Sequence, residues 1–203
     1  MKRRCLFAVA CAVWMFCASD RLIVAQSTAR DYVISAEHSY VGFSIIKWMV
    51  VRETGRFRDF DGVIRYDPLN PAECRVVFTV RAESLDTGIP RRDAVLRSDD
   101  FFDTASFPTL AFRSVEVQME SAARLRVTGD LTIRGVTRRI VVPVSVRRTQ
   151  GVAAAVTGFE SRFTIDRTAF GVNGTRWSGG RLSLSREVDI ELRVAGRATS
   201  ATH

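Results

Sequence analysis

The stretch Leu182-Ser-Leu-Ser-Arg-Glu-Val-Asp-Ile-Glu-Leu-Arg-Val194 alternates almost without a break. Leu182, Leu184, Val188, Ile190, Leu192 and Val194 share one parity; Ser183, Ser185, Glu187, Asp189, Glu191 and Arg193 take the other. Successive side chains of a strand point to opposite faces, so this is a ribbon with one apolar and one wet side. Only Arg186 interrupts the apolar row. At about 3.3 Å per residue the stretch spans roughly 43 Å, far beyond an ordinary strand. A closed sheet of such ribbons would enclose a long apolar tunnel suited to a greasy ligand.

The same alternation recurs upstream. Leu125, Val127, Leu131 and Ile133 oppose Arg126, Thr128, Asp130, Thr132 and Arg134; Ile140, Val142, Val144 and Val146 oppose Arg139, Val141, Pro143, Ser145 and Arg147. Arg134-Gly135-Val136 joins these two, and its glycine suits a tight antiparallel turn. Pro143 has no N–H to give, which places it at an edge or a bulge. Further strands are expected over 32–35, 40–48, 55–66, 74–82, 110–118 and 153–165, and the strands just described run over 124–134, 137–146 and 182–194. One short helix is expected from Pro90, a proline at the first helical position, through Arg97. Sequential antiparallel strands with a single helical insertion predict an all-β fold: an eight-stranded, up-and-down, lipocalin-like barrel. Periodicity alone leaves a sandwich open.

Residues 1–25 read as a secretion signal. Lys2, Arg3 and Arg4 precede an apolar run from Cys5 to Ala18 that is too short to span a bilayer, which takes about 20 residues. Cleavage is expected after Ala25, with Ser19 as the alternative, and the protein is expected in the periplasm. About 178 residues then remain, enough for one domain with a substantial core. The barrel is expected over 30–196 and a disordered tail over 197–203. Cys5, Cys11 and Cys17 leave with the leader, so Cys74 has no partner for an internal disulfide and the core must hold the fold. The chain carries a net charge of +8. A basic surface can meet phosphate head groups or an anionic membrane face; its arginines are spread rather than clustered, which speaks against nucleic acid. A homodimer stays open.

Catalytic machinery is sparse. The chain has two histidines, His38 and the terminal His203. A Ser-His-Asp or Cys-His arrangement therefore has one realistic imidazole, and a zinc site lacks ligands. No cofactor and no metal is expected. Asp99-Asp100-Phe101-Phe102-Asp103 has the outline of an aspartate-rich diphosphate site, but it follows a short helix in a strand-dominated chain. Acids opening a turn, with Phe101 and Phe102 plugging the core, explain it more simply. Asp59 and Asp61 could form a carboxylate pair, although the following Gly62 suggests a turn or bulge. The glycine-rich stretch around Gly171 and Trp177 lacks the strand-to-helix setting of a phosphate cradle. Arginine is the better candidate, because its planar fork matches phosphate. Arg56, Arg92, Arg167 and Arg186 are the candidates for holding a head group.

Several ordered stretches resemble one family. They are Tyr32-Val-Ile-Ser-Ala-Glu-His38-Ser-Tyr-Val-Gly-Phe43, Gly55-Arg-Phe57-Arg-Asp-Phe60-Asp-Gly62 and Arg92-Asp93 through Asp103. Phe107-Pro108 through Ser114, Gly129-Asp-Leu131-Thr-Ile133-Arg-Gly135 and Asp166-Arg167-Thr-Ala-Phe170-Gly171 complete the set. Together they resemble the YceI-like family of exported lipocalin-like proteins over roughly residues 31–195. The resemblance implies an eight-stranded barrel whose pore binds a polyisoprenoid, with quinone-like or amide-tailed lipids as variants, and no enzymatic activity. Where many members carry histidine, this chain has Trp48, and Val95-Leu96 replaces His-Leu; both changes would make the neighbourhood more apolar. By parity the pore lining is Phe43, Ile45, Phe60, Ile64, Phe78, Phe112, Leu125, Val127, Leu131, Ile133, Val142, Phe163, Ile190 and Leu192. The expected function is binding, transport or sequestration of an isoprenoid lipid such as a polyprenyl phosphate or a quinone. An enzyme using His38, Asp59 or Asp61 on a lipid or small electrophile is the alternative, as is a ligand-free interaction module.

Overall fold

Among the described residues eleven strands make eight ribbons, because three ribbons bend part-way. The computed structural model describes residues 28–148, 156–176 and 184–199. Its strands are β1 (Arg30–Ile34), β2 (Tyr40–Lys47), β3 (Val51–Phe57), β4 (Phe60–Tyr66), β5 (Arg75–Arg81) and β6 (Leu85–Asp86). After helix α1 (Pro90–Arg97) come β7 (Thr109–Ser121), β8 (Arg124–Ile133), β9 (Val136–Arg148), β10 (Val156–Asp166) and β11 (Leu184–Ala198). The pairs β1/β2, β3/β4 and β5/β6 each continue one ribbon across a short interruption. β1 and β2 share one edge of β11, β3 and β4 pair with β2 and β1, and β5 and β6 pair with β4 and β3. Counted this way, every ribbon lies antiparallel to its sequence neighbours, and β11 closes on β1. This is the expected all-β, eight-stranded up-and-down barrel with a single helix, and Pro90–Arg97 is that helix.

The two ends differ. At the lower end β1, β4, β5 and β7–β11 form an unbroken ring of hydrogen-bonded neighbours. At the upper end the wall opens twice. β6 does not reach β7, and α1 fills that space, tied down by buried Asp93, which accepts from the Thr87 amide at 2.9 Å and from its hydroxyl. The β9–β10 ladder stops at Ser145↔Glu160. Pro143 explains the second opening. The nitrogen and carbonyl of one strand residue face the same side, and here the carbonyl faces β10, accepting from the Ser161 hydroxyl at 2.6 Å. The donorless proline nitrogen faces β10 as well, so the ladder cannot continue. Pro143 thus sits at a local edge inside a closed barrel.

The strand from 182 to 194 holds with one change. Leu182 and Ser183 lie outside the described residues. Leu184 pairs with Lys47 and Val188 with Ile45, so β11 carries two extra residues in a bulge. Leu184 and Val188 both face inward, whereas Arg186 in the bulge turns to solvent. Expected strand 55–66 is also divided. Phe57 and Phe60 are both buried although they differ in parity, and the break at Arg58-Asp59 makes that geometry possible. The leader, residues 1–25, lies outside the described residues, as does the last part of the expected tail, from residue 200. The start of that tail is not disordered: Arg197 and Ala198 belong to β11 and pair with Val33 and Tyr32, and the Thr199 amide donates to the Asp31 carbonyl at 2.9 Å.

Candidate functional site

An apolar channel runs down the barrel axis in two chambers. The lower has a cavity volume of about 160 Å³ and the upper about 430 Å³. They meet where Phe43, Phe57, Leu110, Ile133, Ile165 and Ile190 line both. The lower end is shut by aromatics: Tyr32 and Tyr66 each set an edge against Phe159, with centroids 5.8 and 6.0 Å apart. Cys74 and Val194 are buried beside them. Burial pushes the Cys74 thiol above its ordinary value, so it is an inert wall residue. Above, Phe101, Phe102, Phe170 and Val172 roof the upper chamber, and Phe102 sets its edge against Phe57 at 5.9 Å. Phe101 and Phe102 thus plug the end of the core.

Of the residues chosen by parity, Phe43, Ile64, Phe78, Phe112, Leu125, Val127, Leu131, Ile133, Val142, Phe163, Ile190 and Leu192 line the lower chamber, and Ile45 lines the upper. Phe60 lines neither: it faces inward with Ile64 and Tyr66 but is spent in packing, stacked on Phe78 at 5.7 Å. Phe57, Tyr66 and Phe159 also line the lower chamber. Tyr66 and Phe159 share the parity of Ile64 and Phe163, whereas the inward direction of Phe57 depends on the break after β3. Val95 lines the upper chamber, but Trp48 does not; it stands 59% exposed at the tip of the β2–β3 hairpin.

Charge gathers at the upper mouth. Among the described residues, Lys47, Arg91, Arg92 and Arg167 line it with one acid, Glu53. Arg92 is committed to Glu53, to the Thr87 hydroxyl at 2.8 Å and to the Thr87 carbonyl at 3.0 Å. Arg167 is a brace: it donates to the carbonyls of Ser185 (2.8 Å), Val172 (2.6 Å), Asn173 (2.8 Å) and Leu184 (3.4 Å). Burial pulls its pKa down while Asp166 opposes the shift. Arg56 lies outside the barrel against Asp86, and Arg186 outside against Asp166. So two of the four arginines reach the channel and both are engaged. Arg91, exposed on α1, lines the mouth with no hydrogen bond or ion pair to the described residues, a position that the helix reading alone could not separate from Arg92.

The other candidates do not converge. His38 is exposed, its Nδ1 3.2 Å from the Ser35 hydroxyl. Asp59 serves the chain through its carbonyl, which accepts from the Arg81 amide, and Asp61 lies near Arg81 at the surface. Asp99 pairs with Arg176; Asp100 accepts from the Arg176 amide at 3.0 Å and the Thr175 hydroxyl at 3.1 Å. Burial raises the Asp100 pKa, but these donors outweigh it and hold the carboxyl below its usual value. The acids thus cap the loop over the roof. Among the described residues no cluster of histidine, cysteine or acid side chains could hold a metal.

A YceI-like domain matches residues 32–195. The chain belongs to the YceI-like family. YceI-like relatives include a UPF0312 protein of Photorhabdus laumondii, 41% identical over 60% of this chain and 64% of its own length, so this chain spans just under two thirds of it. A UPF0312 protein of Vibrio cholerae is 33% identical over 84% of this chain and 88% of its own. Among solved structures, Burkholderia cenocepacia BcnA superposes with a TM-score of 0.73 at 26% identity, covering 80% of this chain and 98% of BcnA. A domain of Saccharophagus degradans described as polyisoprenoid-binding gives 0.67 at 19% identity, covering 83% and 98%. At that identity it shares the YceI-like fold.

Proposed function

We propose that this protein holds a long isoprenoid lipid in its channel and carries or sequesters it in the periplasm. The observation that carries this reading is the blind, apolar two-chambered channel with cations gathered at its upper mouth. A dry apolar cavity of about 150 Å³ accepts a benzene-sized group, so chambers of this size suit several isoprene units in file. Burying only about 400 Å² of such a chain contributes on the order of 10 kcal/mol before binding entropy is subtracted, so affinity needs no catalytic group. The polyisoprenoid-binding description of the Saccharophagus domain and the family match support the ligand class. The basic start and apolar run of residues 2–18 support export. Arg91 at the mouth favours an anionic head such as a polyprenyl phosphate.

The test is to purify the protein from its native compartment, extract it with organic solvent and analyse the extract by mass spectrometry. A stoichiometric isoprenoid in the extract is expected. An empty extract together with no binding of added polyprenyl phosphate or quinone would sink the proposal.

A further inference from the structure

We infer that the β2–β3 hairpin tip is a membrane anchor that sets the channel mouth against an anionic phospholipid bilayer. The observation is a turn built from the wrong residues for a turn. Lys47 to Val50 closes with the Val50 amide donating to the Lys47 carbonyl at 3.2 Å, with φ of 50° at Trp48 and 64° at Met49. Positive φ at both central positions marks a type I′ turn, which favours Asn-Gly because other side chains crowd the backbone there. The β8–β9 hairpin meets the same demand with glycine, at Arg134-Gly135. Nor is the tip buried in the fold. Trp48 is 59% exposed, Met49 91% and Val50 81%.

The surroundings point to a bilayer. Lys47 lies under the Trp48 ring at 4.1 Å, leaving an apolar tip above a cation, the pattern of a side chain seated at a lipid interface. Ile89, exposed at the start of α1, and Arg91 line the same mouth, so the patch is continuous with the channel. The Glu53–Arg92 ion pair ties the hairpin to α1 and keeps them in one frame. A lipid leaving a bilayer by this mouth need not cross water. The purpose of the anchor rests on the lipid-carrier reading, but its readout does not.

The test is co-sedimentation of the purified protein with vesicles of equal parts phosphatidylglycerol and phosphatidylcholine, and with phosphatidylcholine alone. The comparison is Trp48→Asn/Met49→Gly, which gives the turn its preferred residues, so the variant should unfold at no lower denaturant concentration than the wild type. Wild type is expected to sediment with the anionic vesicles and to be released by salt. The variant is expected to bind about tenfold or more weakly, having lost most of the tip's exposed apolar surface. Its extracted lipid should match that of the wild type. Equal sedimentation of both proteins, or a wild type that stays in the supernatant, overturns the anchor. So does a wild-type dimer, indifferent to vesicles, that the variant dissolves. Loss of extractable lipid from the wild type would instead sink the carrier reading and leave the sedimentation result to decide the anchor.

Discussion

Arg186 donates through Nη2 to Asp166 Oδ2 at 2.6 Å on the outer wall, joining the bulge of β11 to the end of β10. The residue that breaks the apolar row therefore serves the outside of the barrel. The Thr168 hydroxyl, then Arg186 and the Thr168 amide, hold the Asp166 carboxyl at a pKa of about 2, against a usual 3.8.

A depressed carboxylate pKa stabilises the fold above the unfolded value and loses that contribution as pH falls through the folded value. The Asp166 contribution should thus be complete above about pH 4 and gone near pH 2. Screening at this partly exposed pair limits it to roughly 1 kcal/mol. Urea unfolding of Asp166→Asn across that window should show lower stability than wild type at neutral pH, with the two curves converging in acid. Parallel curves would contradict the assignment.

Ile190 lines both chambers at their junction. Ile190→Trp should plug the waist at a stability cost of about 1–3 kcal/mol, the usual range for overpacking. Extracted lipid should then be absent or confined to shorter chains by mass spectrometry. Unchanged chain lengths would show that the two chambers do not hold one ligand.

The two arginines of the mouth should separate cleanly. Arg167→Ala leaves four carbonyls without their donor and should cost roughly 2–3 kcal/mol in thermal or chemical unfolding. Arg91→Ala should leave stability within about 0.5 kcal/mol, as surface changes usually do. Its effect belongs to the head group: binding of a prenyl phosphate should weaken by up to about tenfold while an uncharged prenol is unaffected. Equal effects on both ligands would remove Arg91 from the head-group role.

Cys74 lies against the closed end with its thiol pKa raised by burial. In the protein freed of residues 1–25, a thiol reagent at neutral pH should label it only after denaturant is added. Rapid labelling of the native protein would mean that the lower end opens.

The barrel was legible because alternation survives along most ribbons, and the helix because Pro90 marks its start. The bends were not. A ribbon interrupted at Arg58-Asp59 changes parity there, so Phe57 and Phe60 can both turn inward, and counting residues cannot place the break. Nor does parity tell which inward residues meet the channel: Phe60 faces inward yet is stacked on Phe78 and lines neither chamber. Arg186 escapes parity too, since a bulge is invisible to a count of two. Among the arginines, composition marks a basic mouth but not which cation is spent as a brace. Arg92 and Arg167 are committed in part by contacts to residues distant in sequence, Glu53 for the one and the 184–185 carbonyls for the other.

The aromatic seal of Tyr32, Tyr66 and Phe159 makes the channel a pouch rather than a conduit. A tail that goes in last-carbon first must come out head first, through the same door. On the proposed carrier reading such a pouch could not thread its ligand from one membrane to another; it would have to let go of one surface, turn, and present the same face to the next. Its depth also acts as a ruler: any tail longer than the pouch keeps its surplus outside, among whatever the mouth is resting on.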